Sequence, residues 1–131
     1  MLFRSLVALS LVISVSVDRQ IQDPLGTPGA EPGAHMSAQQ KNAAVRPLVS
    51  SATECVARSV SASPRFDELA GHGDINDLIV DSMAYCVEAM RAMIDAYDRY
   101  YGMGSGEAFF TGPYLDVLPA AVHKLLDRSR D

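Results

Sequence analysis

Between Asp74 and Tyr101 the chain reads DINDLIVDSMAYCVEAMRAMIDAYDRYY, and its apolar side chains keep a regular spacing. Ile79, Met83, Cys86, Met90, Met93, Tyr97 and Tyr100 recur at alternating intervals of four and three. That rhythm places all seven on one stripe of an α-helix, whereas a half-buried strand would alternate every second residue. The spacing predicts one amphipathic helix across the whole stretch, with Asp74 as its cap and Asp77 adding favourable charge to the first turn. The opposite face pairs Glu88 with Arg91, Arg91 with Asp95, and Asp95 with Arg99. Such pairs contribute only about 0.2–0.5 kcal/mol each, so they mark the solvated side.

A stripe of that kind needs partners, and two other segments offer them. Pro47–Ser61 carries Val49, Ala52, Val56 and Val60, with Val45 ahead of it and Cys55 bordering the stripe. Pro47 suits a first helical turn, where its missing N–H has no partner to lose. The last segment runs from Asp116, its expected cap, and carries Leu118, Val122 and Leu125, with Leu115 ahead of it and Leu126 beside it. Pro119 then falls in its first turn, and Lys124, Arg128 and Arg130 gather at its end, where cations suit the helix dipole. Ser63-Pro64 resembles a cap and first residue for a short turn over Arg65–Leu69, which Gly71-His72-Gly73 ends. No strand-like alternation of useful length is present. The expected fold is all-α: a small three-helix bundle with a short extra helical turn between helices one and two.

Two further segments precede that bundle. Residues 1–17, MLFRSLVALSLVISVSV, have one positive charge at Arg4 and an apolar run the length of a signal-peptide core. Left uncleaved, the segment could anchor the chain in a membrane, although it is short for a span. Residues 18–41 hold three prolines and three glycines with almost no bulky apolar side chain, the composition of a flexible linker. The bundle domain is therefore expected over residues 42–131. A rival start at Met36 would remove the signal and make the protein cytoplasmic. Export to a periplasmic or extracellular space is the leading expectation.

Charge narrows the partners. A formal charge of -5 and eleven scattered basic residues give no footprint for a phosphate backbone, so nucleic acid is excluded as an expected partner. Membrane contact is expected only through the N-terminal segment. Cys55 and Cys86 are too few for a disulfide framework and lack zinc or haem spacing. Both fall near the middle of consecutive helices that can run antiparallel, so a disulfide between them is geometrically plausible. In an oxidising compartment it would persist.

Residues 102–115, GMGSGEAFFTGPYL, read as a glycine-rich loop followed by aromatics. The glycines are no nucleotide cradle: a helix precedes them, and the P-loop Lys-Ser/Thr is missing. Tyr97, Tyr100, Tyr101, Phe109, Phe110 and Tyr114 are six of the nine aromatic residues. Packed together they would pin the loop to the bundle end; left exposed, they would form a partner surface. Tyr100, Tyr101, Phe109, Phe110 and Tyr114 are the candidate partner-binding residues. Met83, Met90 and Met93 fall on the packing stripe and read as core, not as thioether ligands. His72, Asp74 and Asp77 lack the ligand count of a metal site. No catalytic motif is legible, and no metal or cofactor is implied.

The composition and motifs point to an exported helical module that binds a protein partner, or a second copy of itself, without catalysis. A helical carrier of a small ligand or metal is the alternative.

Overall fold

The computed structural model describes residues 33–70 and 75–131. Among them there is no strand, and the architecture is an all-α bundle. Its helices are α1 (Ala38–Ser61), α2 (Phe66–Ala70), α3 (Asn76–Met83), α4 (Val87–Tyr101), α5 (Ser105–Phe109) and α6 (Leu115–Arg128). A 3-10 turn over Ala84–Cys86 joins α3 to α4, and a π-helical turn over Phe110–Tyr114 joins α5 to α6. Residues 1–32, which include the signal-like segment and most of the expected linker, lie outside the described residues, as do His72 and Asp74.

At the centre is α1, which packs against α4 on one side, α6 on another and α3 beyond its middle. Cys55 of α1 meets Cys86, while Asn42 near its start meets Tyr101 at the end of α4, so α1 and α4 are antiparallel. Val49, Ser50 and Thr53 share a groove with Ala121 and Lys124, and Ala57 and Ser61 share its continuation with Leu125 and Ser129. Residue numbers therefore rise together along α1 and α6, which run parallel. The core is Val56 and Val60 of α1, Met90 and Met93 of α4, Leu118 and Val122 of α6, and Ile79 and Cys86 between. Burying each large apolar side chain is worth about 1.5–3 kcal/mol, several times a surface ion pair. Of the three expected pairs on α4, only Glu88–Arg91 closes, at 3.3 Å.

Three expectations need correction. The stretch from Asp74 to Tyr101 is not one helix: α3 ends at Met83, and the 3-10 turn separates it from α4. The side-chain stripe nevertheless continues across the break, because Ile79, Cys86, Met90 and Met93 are all buried. Ile75 occupies the cap position of α3 without a side-chain bond. Second, α1 begins at Ala38 and not at Pro47, which lies inside it. Ser37 accepts from the Gln40 amide while the Gln40 side chain accepts from the Ser37 amide, a reciprocal capping box that fixes the earlier start. Residues 33–41 are therefore built into the fold: Gly33 is buried so closely on Tyr100 that a Cβ would stand 2.6 Å from its carbonyl oxygen. Third, residues 102–115 are not a loop beyond Gly104, because α5 and the π turn run on into α6. Asp116 accordingly lies within the first turn of α6 and is not its cap.

Candidate functional site

The sulfurs of Cys55 and Cys86 stand 2.06 Å apart with their Cα atoms at 5.9 Å, a disulfide joining α1 to the 3-10 turn. Cys86 is 2% exposed, and the Ser59 hydroxyl lies 3.7 Å from its sulfur. The bridge occupies the one place where the α3–α4 rod breaks, so it fixes that turn against the bundle centre.

The aromatic end is assembled by backbone geometry. Gly102 and Gly104 take φ values of 105° and 85°, which turn the chain back sharply after α4. Asp98 then accepts from the Gly106 amide at 2.8 Å, and the Ser105 hydroxyl donates to the Tyr97 carbonyl at 2.9 Å. This draws α5 onto α4 and stacks Phe109 on Tyr97 at 3.9 Å between ring centres. Tyr101 also stacks on Tyr97, and Tyr114 lies against both Phe109 and Phe110. Of the five candidate partner residues, Tyr114 is only 1% exposed and cannot touch a partner in the folded state. Phe109, Phe110 and Tyr100 are half-buried, and Tyr100 takes no part in the ring stack. Tyr101 is 39% exposed, donates to Asn42 Oδ1 and lies under the Lys41 ammonium.

Burial sets the electrostatics of this end. Tyr97 is pushed above the usual tyrosine pKa by burial, with a smaller contribution from the neighbouring Tyr101. Tyr114 is also raised by burial, partly offset by its hydrogen bond with Thr53. The Thr53 hydroxyl donates to the Val49 carbonyl at 2.9 Å and meets the Tyr114 hydroxyl at 3.5 Å.

Comparison with protein-family models, curated proteins and solved structures finds no match.

Function has to be read from the surface. Between α1 and α6 lies an open groove made of two adjoining hollows, of about 320 Å³ and about 190 Å³, which share Glu54 and Leu125 as lining. Its floor is Val49, Thr53, Ala57, Ala121 and Leu125, and its rim carries Arg58, Lys124 and Arg128 against Glu54. Arg58 and Arg128 lie in the last turns of α1 and α6, whose parallel dipoles favour cations at that end. None of the three cations forms an ion pair among the described residues. On the other side of α1, toward α3, a cleft of about 460 Å³ is lined by Ser59, Ser63, Arg65, Leu78, Asp81, Ser82 and Tyr85 among others. Neither surface was legible in the sequence, because each joins residues from helices far apart along the chain. No cluster of three metal-ligating side chains occurs among the described residues, and none of their helices is long and apolar enough to cross a membrane. His123 is half-buried beside Phe66 and Asp127 in a small hollow.

Proposed function

We propose that this protein is an exported helical module that holds an acidic, amphipathic helix of a protein partner in the groove between α1 and α6. The observation that carries the reading is an apolar floor under three cations that have no ion-pair partner among the described residues, on a chain whose formal charge is -5. A groove with apolar floor and charged rim suits a helix that sets its i, i+3, i+4 and i+7 anchors inward and its carboxylates against the rim. The openness of the groove fits a helix better than an enclosed small molecule, which concave pockets bury almost completely. Export is supported by the signal-like segment 1–17 and by the Cys55–Cys86 bridge, since disulfides persist in oxidising compartments.

The test is fluorescence anisotropy with a labelled helical peptide bearing leucines at those anchor positions and glutamates around them. Binding is expected at about 1–100 μM, weakening as salt rises. Lys124→Glu with Arg128→Glu should weaken it by about tenfold or more. Equal binding of a lysine-rich version of the peptide, or indifference to both substitutions, rejects the groove. Export is read separately by fractionation and N-terminal sequencing: a mature chain beginning just after Val17 supports it. A chain beginning at Met36 with reduced thiols removes it while leaving the groove untouched.

A further inference from the structure

The cleft between the end of α1, the turn before α2, and α3 is a second surface, independent of the α1–α6 groove. Its floor is apolar, with Leu78 buried at 2% exposure and Ala62 and Pro64 beside it. Ser82 also lines it. That side chain is only 4% exposed, and its hydroxyl has no hydrogen-bond partner among the described residues. No fully buried side-chain oxygen or nitrogen among them is orphaned, so the Ser82 oxygen keeps some exposure, and the cleft it lines is where solvent or a ligand can reach it. At the mouth, Arg65 and Asp81 face each other at 3.8 Å, each more than half exposed. The Ser63 hydroxyl accepts from the Arg65 amide at 3.3 Å and fixes the turn that carries the guanidinium. Tyr85 completes the wall. It is 82% exposed, an aromatic ring left in water at the edge of a concave site.

We infer that this cleft binds a small neutral saccharide. The chemistry is selective in three respects. Arg65 and Asp81 offset one another at the mouth, so the cleft presents no net charge to favour a free anion or a free cation. A molecule with many hydroxyl groups accepts from the guanidinium and donates to the carboxylate at once, leaving both charges in place. The apolar floor and the open tyrosine face suit the C–H faces of a sugar ring, and the isolated Ser82 hydroxyl adds a fixed polar contact below. The volume of about 460 Å³ accommodates one or two rings. A zwitterionic amino acid meets the same two charges but has no use for the tyrosine wall.

The deciding experiment is an amide-detected NMR titration of the full chain with glucose, N-acetylglucosamine and maltose, with glycine and inorganic phosphate as competitors in class. Saturable shifts confined to residues around 59–65 and 78–85 are expected for a saccharide, with a Kd of about 1 mM. Ser82→Ala should weaken binding about tenfold, the effect of one lost hydrogen bond. Tyr85→Ala should do the same or more, and its ring is too exposed for the substitution to disturb the fold. Maltose tighter than glucose assigns the end of a polymer; equal affinity assigns a free monosaccharide. The inference is overturned if no saccharide shifts these amides, if glycine or phosphate shifts them in preference, or if both variants bind as the parent does.

Discussion

The Asp98 carboxylate of α4 caps α5, accepting from the Gly106 amide at 2.8 Å. Because Gly104 at the cap position of α5 has no side chain, the acceptor must come from another helix. The contact is reciprocated: the Ser105 hydroxyl takes up the Tyr97 carbonyl near the end of α4. Asp98→Ala should therefore destabilise the fold by about 1–2 kcal/mol, the usual cost of a lost cap. Asp98→Asn, which keeps an acceptor oxygen, should lose less than half of that. Thermal unfolding of the three proteins checks the order, and equal midpoints would remove the capping role.

Gly106 is required for a different reason. A Cβ built there lies 2.2 Å from the Ile94 carbonyl oxygen, so α5 could not lie on α4. Gly106→Ala is expected to cost about 3 kcal/mol or more, at the upper end for overpacking. Gly112 in the π turn is the control, since a Cβ there meets nothing within 4 Å. Gly112→Ala should stabilise by up to about 1 kcal/mol through lower backbone entropy in the unfolded chain. Urea midpoints of the pair should move in opposite directions.

These two positions also show where the sequence became unreadable. The helical class followed from spacing, because Met90, Met93, Val56, Leu118 and Val122 obey a period that only a helix can bury together. The antiparallel meeting of Cys55 and Cys86 followed from the same reasoning. The glycines of 102–112 read as a loop because composition cannot distinguish a flexible glycine from one demanded by a neighbouring backbone, as at Gly106. The 3-10 break at Ala84–Cys86 left no trace, since the buried stripe passes straight through it. The early start of α1 is written in Ser37 followed by Gln40, a capping-box pattern, while Pro47 supplies a competing first-turn signal further along. The α1–α6 groove and the Ser82 cleft depend on which helices become neighbours, which local pattern does not encode.

The Cys55–Cys86 bridge spans 31 residues of sequence. In the chain-entropy account, a closed loop of that size stabilises by about 3–4 kcal/mol. A core of this size has a total stability on the order of 5–10 kcal/mol, so the bridge is a large share of it. Cys55→Ala with Cys86→Ala should lower Tm by about 10–20 °C while leaving the helical circular dichroism at low temperature unchanged. Dithiothreitol should reproduce the effect on the parent protein and leave the double variant where it was. A parent insensitive to the reductant while its thiols are shown to be free would mean the bridge contributes nothing.

Alkaline pH should separate the buried tyrosines from the rest of the fold. Tyr97 and Tyr114 both have native pKa values raised above the ordinary value of 10.0, with burial as the main cause. The unfolded chain releases these protons from about pH 10 upward while the native state retains them. Stability from this source is therefore complete below about pH 10 and falls as the pH climbs from there through the raised native values. Urea midpoints measured between pH 8 and 11 should be level at first and then decline. Tyr114→Phe removes one of the two retained protons and leaves the Thr53 hydroxyl still bonded to the Val49 carbonyl. Its cost at pH 8 should be about 1 kcal/mol or less, since only a long hydrogen bond is lost, and its alkaline decline should be shallower than that of the parent. An unchanged slope in that variant would mean that Tyr114 titrates as it does in the unfolded chain, and that the aromatic end is open to solvent.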